Sequence, residues 1–165
     1  MVVKKMIREL KKSDREELKR IIIDTKHFND DEVSVAMELI DDALGKGKNS
    51  DYITKVFVTD DTQLVAGYIC YGKRPLTDMT YDLYWIAVDP KIHGRGIGKQ
   101  LVESMEHDVR DNRDGYLILI ETSGKAEYEG ERKFYDKCAY EVQTVIKDFY
   151  RRGDDLYVYR KYLQK

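Results

Sequence analysis

The sequence predicts a mixed α/β fold, and three observations carry that reading. Two β-rich runs, 51–59 and 63–71, are separated only by Asp60-Asp61-Thr62, the spacing of an antiparallel hairpin. The almost wholly apolar run Leu83-Tyr84-Trp85-Ile86-Ala87-Val88 leads through a glycine-rich loop and an amphipathic helix to a second apolar run, Tyr116 to Ile120. Strand, helix, strand implies a right-handed parallel crossover. A terminal strand pair turning at Arg151-Arg152-Gly153-Asp154-Asp155 completes a sheet that is mostly antiparallel. With 165 residues and no linker, repeat or low-complexity segment, one domain spanning 1–165 is expected.

The elements follow in order. Met6 to Leu10 reads as a short strand, and Ser13-Asp14 with Glu16 and Glu17 supplies a cap and an acidic first turn for a helix. Leu18, Ile21 and Ile22, extended by Ile23, form its apolar stripe. A second helix is predicted from Asp30 to Leu44, with Val33, Met37, Ile40 and Leu44 at three- and four-residue steps and Gly45 and Gly47 at its end. Asp30-Asp31-Glu32 complements the helix dipole there, a reading preferred over an amine-attracting rim. The stretch Gly45 to Ser50 is the one loop expected to be mobile. A loop with Pro75 precedes the strand Thr80 to Val88, and the helix after the glycines buries Leu101, Val102, Met105 and Val109. Tyr116 to Ile120 has the continuous apolar character of a strand covered on both faces. Glu127 to Cys138 reads as helix, Glu141 to Lys147 as strand, and the last strand ends near Tyr162.

Composition narrows the function. A net charge of −2 with 36% charged residues gives a mixed surface without the basic face of a nucleic-acid binder. No apolar run approaches the roughly 18 residues of a membrane span, and no secretory leader is evident, so a cytoplasmic location is expected. Cys70 and Cys138 then read as reduced thiols. His27, His93 and His107 lack ligand spacing, and no metal is expected.

The run His93-Gly94-Arg95-Gly96-Ile97-Gly98 is built to hold phosphate: glycines let the backbone approach a ligand, and the following helix offers its N-terminal N–H groups. A nucleoside triphosphate loop is excluded, because His93 stands where its first Gly would be and Gln100 where Ser or Thr follows the Lys. A dinucleotide loop draws support from Gly94, Gly96, Gly98 and from Glu121 at roughly the 20-residue distance of a ribose-binding acid. Its glycine spacing differs, however, and too little chain follows for further strand–helix repeats.

Residues 83–101, LYWIAVDPKIHGRGIGKQL, resemble the central motif of the GNAT superfamily of acetyl-CoA-dependent N-acetyltransferases. The family pattern is Gln or Arg, two residues, Gly, one residue, then Gly or Ala; Gly96 and Gly98 match it after Arg95, Val88-Asp89-Pro90 fits before it, and His93 takes the Gln/Arg position. The order of elements matches the family layout nearly end to end, which implies helices on both faces of the sheet. The resemblance implies that His93, Gly94, Arg95, Gly96, Ile97, Gly98 and Lys99 surround the coenzyme diphosphate. It implies also that the edge of Ile86, Ala87 and Val88, splayed by a bulge, offers a main-chain oxyanion donor and pairs with the pantetheine amides.

Amine acetylation benefits from a base, since an alkyl ammonium with a pKa near 10.4 is about one part in a thousand neutral at pH 7. Asp82 is the leading base: on a regular strand it shares a face with Tyr84, and it coincides with the position of a glutamate base in some members of the family. Tyr84 would order water or shape the acceptor pocket. Phe134-Tyr135-Asp136-Lys137-Cys138-Ala139-Tyr140 resembles the family's Phe-Tyr, three residues, Gly-Phe pattern, which makes Tyr135 the acid for the coenzyme sulfur. Ala139 stands in place of the Gly, at a cost if that residue needs positive φ, and the turn is then expected to be built differently. The expected activity is transfer of acetyl from acetyl-CoA to a primary amine of a small molecule or peptide by direct attack in a ternary complex, with homodimerisation left open. The alternatives are a catalytically inactive coenzyme A sensor of the same fold and, less favoured, a dinucleotide-binding enzyme.

Overall fold

The computed structural model describes residues 6–59, 62–92 and 94–164. Its elements run β1 (Met6–Glu9), α1 (Arg15–Asp24), α2 (Asp30–Lys46), β2 (Ile53–Val58), β3 (Val65–Lys73), β4 (Thr80–Val88), α3 (Ile97–His107), β5 (Leu117–Ser123), α4 (Glu129–Lys137), β6 (Glu141–Arg151) and β7 (Asp154–Tyr162). The strands form one mixed sheet in the order β1-β2-β3-β4-β5-β7-β6. Its parallel ladder joins β4 to β5 from Thr80↔Leu117 to Leu83↔Ile120, as the crossover pattern required. The chain divides into two compact units, one comprising residues up to Gly72 with Trp85–Met105, the other Lys73–Tyr84 with Glu106 onward.

In the first unit Leu18, Ile21 and Ile22 of α1, Ala36, Met37 and Ile40 of α2, and Val56, Val58 and Ile69 of the hairpin are buried. Ile23 departs from the expected stripe and is half exposed, since the three consecutive positions 21–23 cannot all face one side of a helix. Asp14 does not cap α1 through its side chain; its carboxylate instead takes two bonds from Arg8 (2.7 and 2.9 Å) and one from the Lys11 N–H (2.8 Å). The start of α2 is a capping box one residue earlier than the acidic triplet. Asn29 Oδ1 accepts from the Glu32 N–H (2.9 Å), and Glu32 accepts from the Asn29 N–H (2.8 Å). The stretch read as a mobile loop is helical: α2 continues through Lys46, Gly47 turns at φ +55° and residues Gly47–Asn49 form a 3₁₀ turn.

Gly67 fixes how closely β3 meets β4. A Cβ there would lie 2.8 Å from the Ala87 carbonyl oxygen and 3.3 Å from Val88 Cα, so only glycine fits.

In the second unit, cross-strand partners sort the sheet into two faces. Leu119 is opposite both Asp82 and Arg160, whereas Ile120 is opposite Tyr159. Tyr135 of α4 packs on Tyr159, and Arg132 lies over the Tyr157 ring, so α4 covers the face of Ile118 and Ile120. Asp82, Leu119 and Glu121 share the other face. β5 therefore alternates instead of being covered on both sides: Ile118 and Ile120 are buried, Leu117 and Leu119 are half-buried, and Glu121 is exposed. β6 runs four residues beyond Lys147 to Arg151, and the turn contracts to Arg152-Gly153 because Asp154 already pairs with Arg151.

α4 ends in a Schellman arrangement, with Tyr140 N–H donating to the Tyr135 carbonyl and Ala139 N–H to that of Asp136, both at 3.0 Å. Ala139 adopts φ +64°. The expected rebuilding of this turn does not occur; the alanine accepts the left-handed conformation, at about 1 kcal/mol. Ala139 is exposed, so Ala139→Gly is expected to raise stability by about that amount, read as a melting temperature roughly 2–4 °C higher.

Candidate active site

In the first unit, β4 is followed by Asp89, whose N–H donates to the Ala66 carbonyl (2.9 Å) and whose own carbonyl accepts from the Ile92 N–H (3.0 Å), opening a 3₁₀ turn over Pro90–Ile92. His93 lies outside the described residues. Gly94 and Gly96 have φ of +80° and +71°, values that a side chain would strain. A Cβ at Gly94 would meet nothing within 4 Å. Gly94, Arg95 and Gly96 are exposed, and the bend is open to a ligand. α3 begins at Ile97, with the first intrahelical bond running from Gln100 N–H to the Gly96 carbonyl (3.1 Å). The N–H groups of Ile97, Gly98 and Lys99 therefore belong to the first turn, where no i−4 carbonyl awaits them. Lys99 is exposed, with Nζ 3.8 Å from Glu103. Ile97, by contrast, is buried, so its main chain and not its side chain is what the loop presents. Ile86, Ala87 and Val88 lie on the strand that leads into this bend, held to β3 by the close approach at Gly67.

Two side chains brace the bend. Asp89 accepts from Arg20 Nη2 through Oδ2 (2.5 Å) and from the Lys91 N–H through Oδ1 (3.0 Å). Burial pushes the Asp89 carboxyl up, but these donors outweigh it and hold it below the usual carboxylate range. Arg20 is fixed in turn by Glu17 and Asp24 on its own helix. Nothing local marks this partnership in the sequence, since Arg20 sits on the polar side of a helix 69 positions from Asp89.

In the second unit, Asp82 is buried and its Oδ1 accepts from Arg74 Nη1 at 2.8 Å. Burial raises its affinity for a proton, Arg74 opposes that, and Glu121 adds to it. Tyr84 follows on the same strand face, partly exposed. Tyr135 is buried, with ring centroids 5.6 Å from Phe134, 6.4 Å from Tyr140 and 5.7 Å from Tyr159. Burial pushes its hydroxyl well above the ordinary tyrosine value, keeping it protonated. Asp82 and Tyr135 thus stand on opposite faces of this part of the sheet. Arg74 and the neighbouring Glu121 were not picked out as partners of Asp82 by sequence reasoning.

Residues 53–142 match the profile of the acetyltransferase (GNAT) domain. The chain belongs to the GNAT acetyltransferase family. A Desulfovibrio desulfuricans protein assigned to this family is similar over 97% of this chain and 99% of its own, at 38% identity and a TM-score of 0.91. Ard1 from Thermoplasma volcanium shares the fold at 16% identity (99% and 100% covered, TM-score 0.76). So does an aminoglycoside 6'-N-acetyltransferase in complex with coenzyme A, also at 16% identity (97% and 98% covered, TM-score 0.73). Among curated proteins, none matches the sequence. Family membership makes the chain an acyltransferase. Among the described residues no cluster of His, Cys, Asp and Glu could hold a metal, and no helix is long and apolar enough to cross a membrane.

Arg20→Gln is expected to leave the buried Asp89 carboxylate short of its strongest donor, lowering stability by about 1–3 kcal/mol at neutral pH. Because the folded state holds Asp89 as the anion more firmly than the unfolded chain does, the pair contributes fully above about pH 5 and is lost as pH falls through the carboxylate range. The gap in denaturant midpoint between wild type and variant should therefore narrow in acid.

Proposed function

We propose that residues 1–165 act as one cytoplasmic N-acetyltransferase domain that moves acetyl from acetyl-CoA to a primary amine of a small molecule or peptide by direct attack. The observation that carries this reading is the open bend of Gly94 and Gly96 at the start of α3. Positive-φ glycines, Gly94 with nothing within 4 Å of a Cβ and Gly96 with only Gln100 Nε2 at 3.8 Å, and helix-terminal N–H groups fit a diphosphate. Gly94, Arg95, Gly96, Ile97, Gly98 and Lys99 hold that group through the main chain, with His93 beside them and the Arg95 and Lys99 cations adding charge. Ile86, Ala87 and Val88 supply main-chain amides to the pantetheine arm and to the acyl oxygen.

Acetyl-CoA brings the activated acyl group as a thioester. Asp82 takes the proton that makes the acceptor amine nucleophilic, directly or through water ordered by Tyr84. Its burial favours this, because a desolvated carboxylate holds a proton more readily than a solvated one. Tyr135 keeps its phenolic proton for the departing sulfur. Their placement on opposite faces supports separate roles on the acceptor side and the sulfur side, in which neither group competes for the other's proton.

Acetyl-CoA, but not NAD, is expected to raise the melting temperature and to titrate calorimetrically. Stabilisation by NAD alone would overturn the reading. Thiol release with polyamines, amino acids, aminoglycosides and peptide N-termini then identifies the acceptor; binding with no turnover across the panel would favour the coenzyme A sensor. Tyr135→Phe should lower kcat about a hundredfold with little change in acetyl-CoA affinity, and an unchanged kcat removes Tyr135 from the mechanism.

A further inference from the structure

Arg74 is presented from a backbone that cannot easily shift. Its N–H donates to the Thr80 carbonyl (2.9 Å), and its carbonyl accepts from the Thr77 N–H (3.3 Å) and hydroxyl (2.7 Å). The connection between β3 and β4 is thereby tied across its base. From there the guanidinium reaches Asp82 Oδ1 at 2.8 Å and Glu121 Oε1 at 3.6 Å, joining a buried carboxylate on β4 to an exposed one on β5. Tyr84 shares the strand face, and the next cation, Arg160 on β7, is paired with Glu141. The charged groups that act on Asp82 are therefore Arg74 and Glu121.

We infer that Arg74 is the positioning residue for the reaction's base, pinning one oxygen of Asp82 and directing the other, while Glu121 draws Arg74 partly away as a counterweight. The inference rests on the reading of Asp82 as the base. One arginine serving two carboxylates leaves the trio one negative charge in excess, which suits an acceptor arriving as an ammonium ion. It also lets the cation lean toward Glu121 when Asp82 takes the acceptor's proton, so the protonated base is not left facing an unpaired guanidinium.

The two neighbours pull in opposite directions, and this supplies the test. The Asp82 carboxyl is followed by carbon-13 NMR in aspartate-labelled protein, its resonance assigned by its loss in Asp82→Asn. Arg74→Gln should move the titration midpoint up, Arg74→Lys should restore most of it, and Glu121→Gln should move it down. The acid limb of kcat/KM, measured by thiol release with the fastest amine of the panel, should follow in the same directions; for Arg74→Gln the loss at about pH 5 is several times greater than at about pH 8. A merely structural Arg74 would lower activity equally at both pH values. Circular dichroism checks folding, with Arg74→Lys as the variant that retains the charge if Arg74→Gln is unstable. Midpoints that do not move in opposite directions overturn the inference. Midpoints that move as expected while Asp82→Asn keeps full turnover overturn instead the assignment of Asp82 as the base.

Discussion

Asp89 is the point on which the glycine bend depends. Its N–H ties the end of β4 to Ala66, its carbonyl opens the 3₁₀ turn at Ile92, and its carboxylate joins Arg20 to the Lys91 N–H. A proline follows at once, removing a donor and fixing φ, so the chain cannot continue as strand. Everything after it, the left-handed glycines and the first turn of α3, inherits its direction from this residue. A buried carboxylate is an expensive pivot unless fully bonded. Three acids, Glu17 and Asp24 of α1 and Asp89 itself, share Arg20 and hold that cation in place.

The close packing at Gly67 serves the same end by a different force. With no side chain at that position, β3 can lie against the main chain of Ala87 and Val88, and the edge leading into Asp89 is held by contact as well as by hydrogen bonds. Steric closeness and charge pairing thus act in series on a few residues of one strand. The loop itself is then free to be exposed, because its shape is set on either side of it: by Asp89 before and by the buried Ile97 and Leu101 of α3 after.

What the sequence made legible was periodic or local. The hairpin, the crossover and the buried face Leu101, Val102, Met105 and Val109 follow from spacing, and all are present. The glycine bend is legible because glycine is a backbone signal that needs no partner elsewhere. Arg20 with Asp89 and Arg74 with Asp82 were not legible, since a surface-looking arginine carries no mark of the carboxylate it will meet. The same holds for Gly67, which looks like an ordinary weak point in a strand until Ala87 is brought against it. Ile23 and β5 show the opposite error, in which apolar runs overstate burial; the pleat or the helical turn puts alternate members outside. The π-helical turn Asp108–Asn112 after α3 depends on Gly115, where a Cβ would come within 2.2 Å of Val109 Cγ1. No periodicity in the sequence announces it.

The face division in the second unit has a chemical consequence. The proposed transfer needs one group ionised and another protonated at the same pH, and at neutral pH a carboxylate and a phenol differ in that sense. Burial widens that difference by raising the affinity of Tyr135 for its proton. Such a tyrosine does not deliver a free proton; it donates a hydrogen bond whose strength grows as negative charge gathers on the sulfur, and releases the proton only as that charge matures. In the proposed mechanism Asp82, raised by burial but restrained by Arg74, has the opposite need, to remain an anion until the amine arrives. Opposite faces keep these environments separate: aromatic rings surround Tyr135, and an arginine shared with a second carboxylate flanks Asp82. A single crowded pocket would drive each toward the other's environment and erase the difference on which both roles depend.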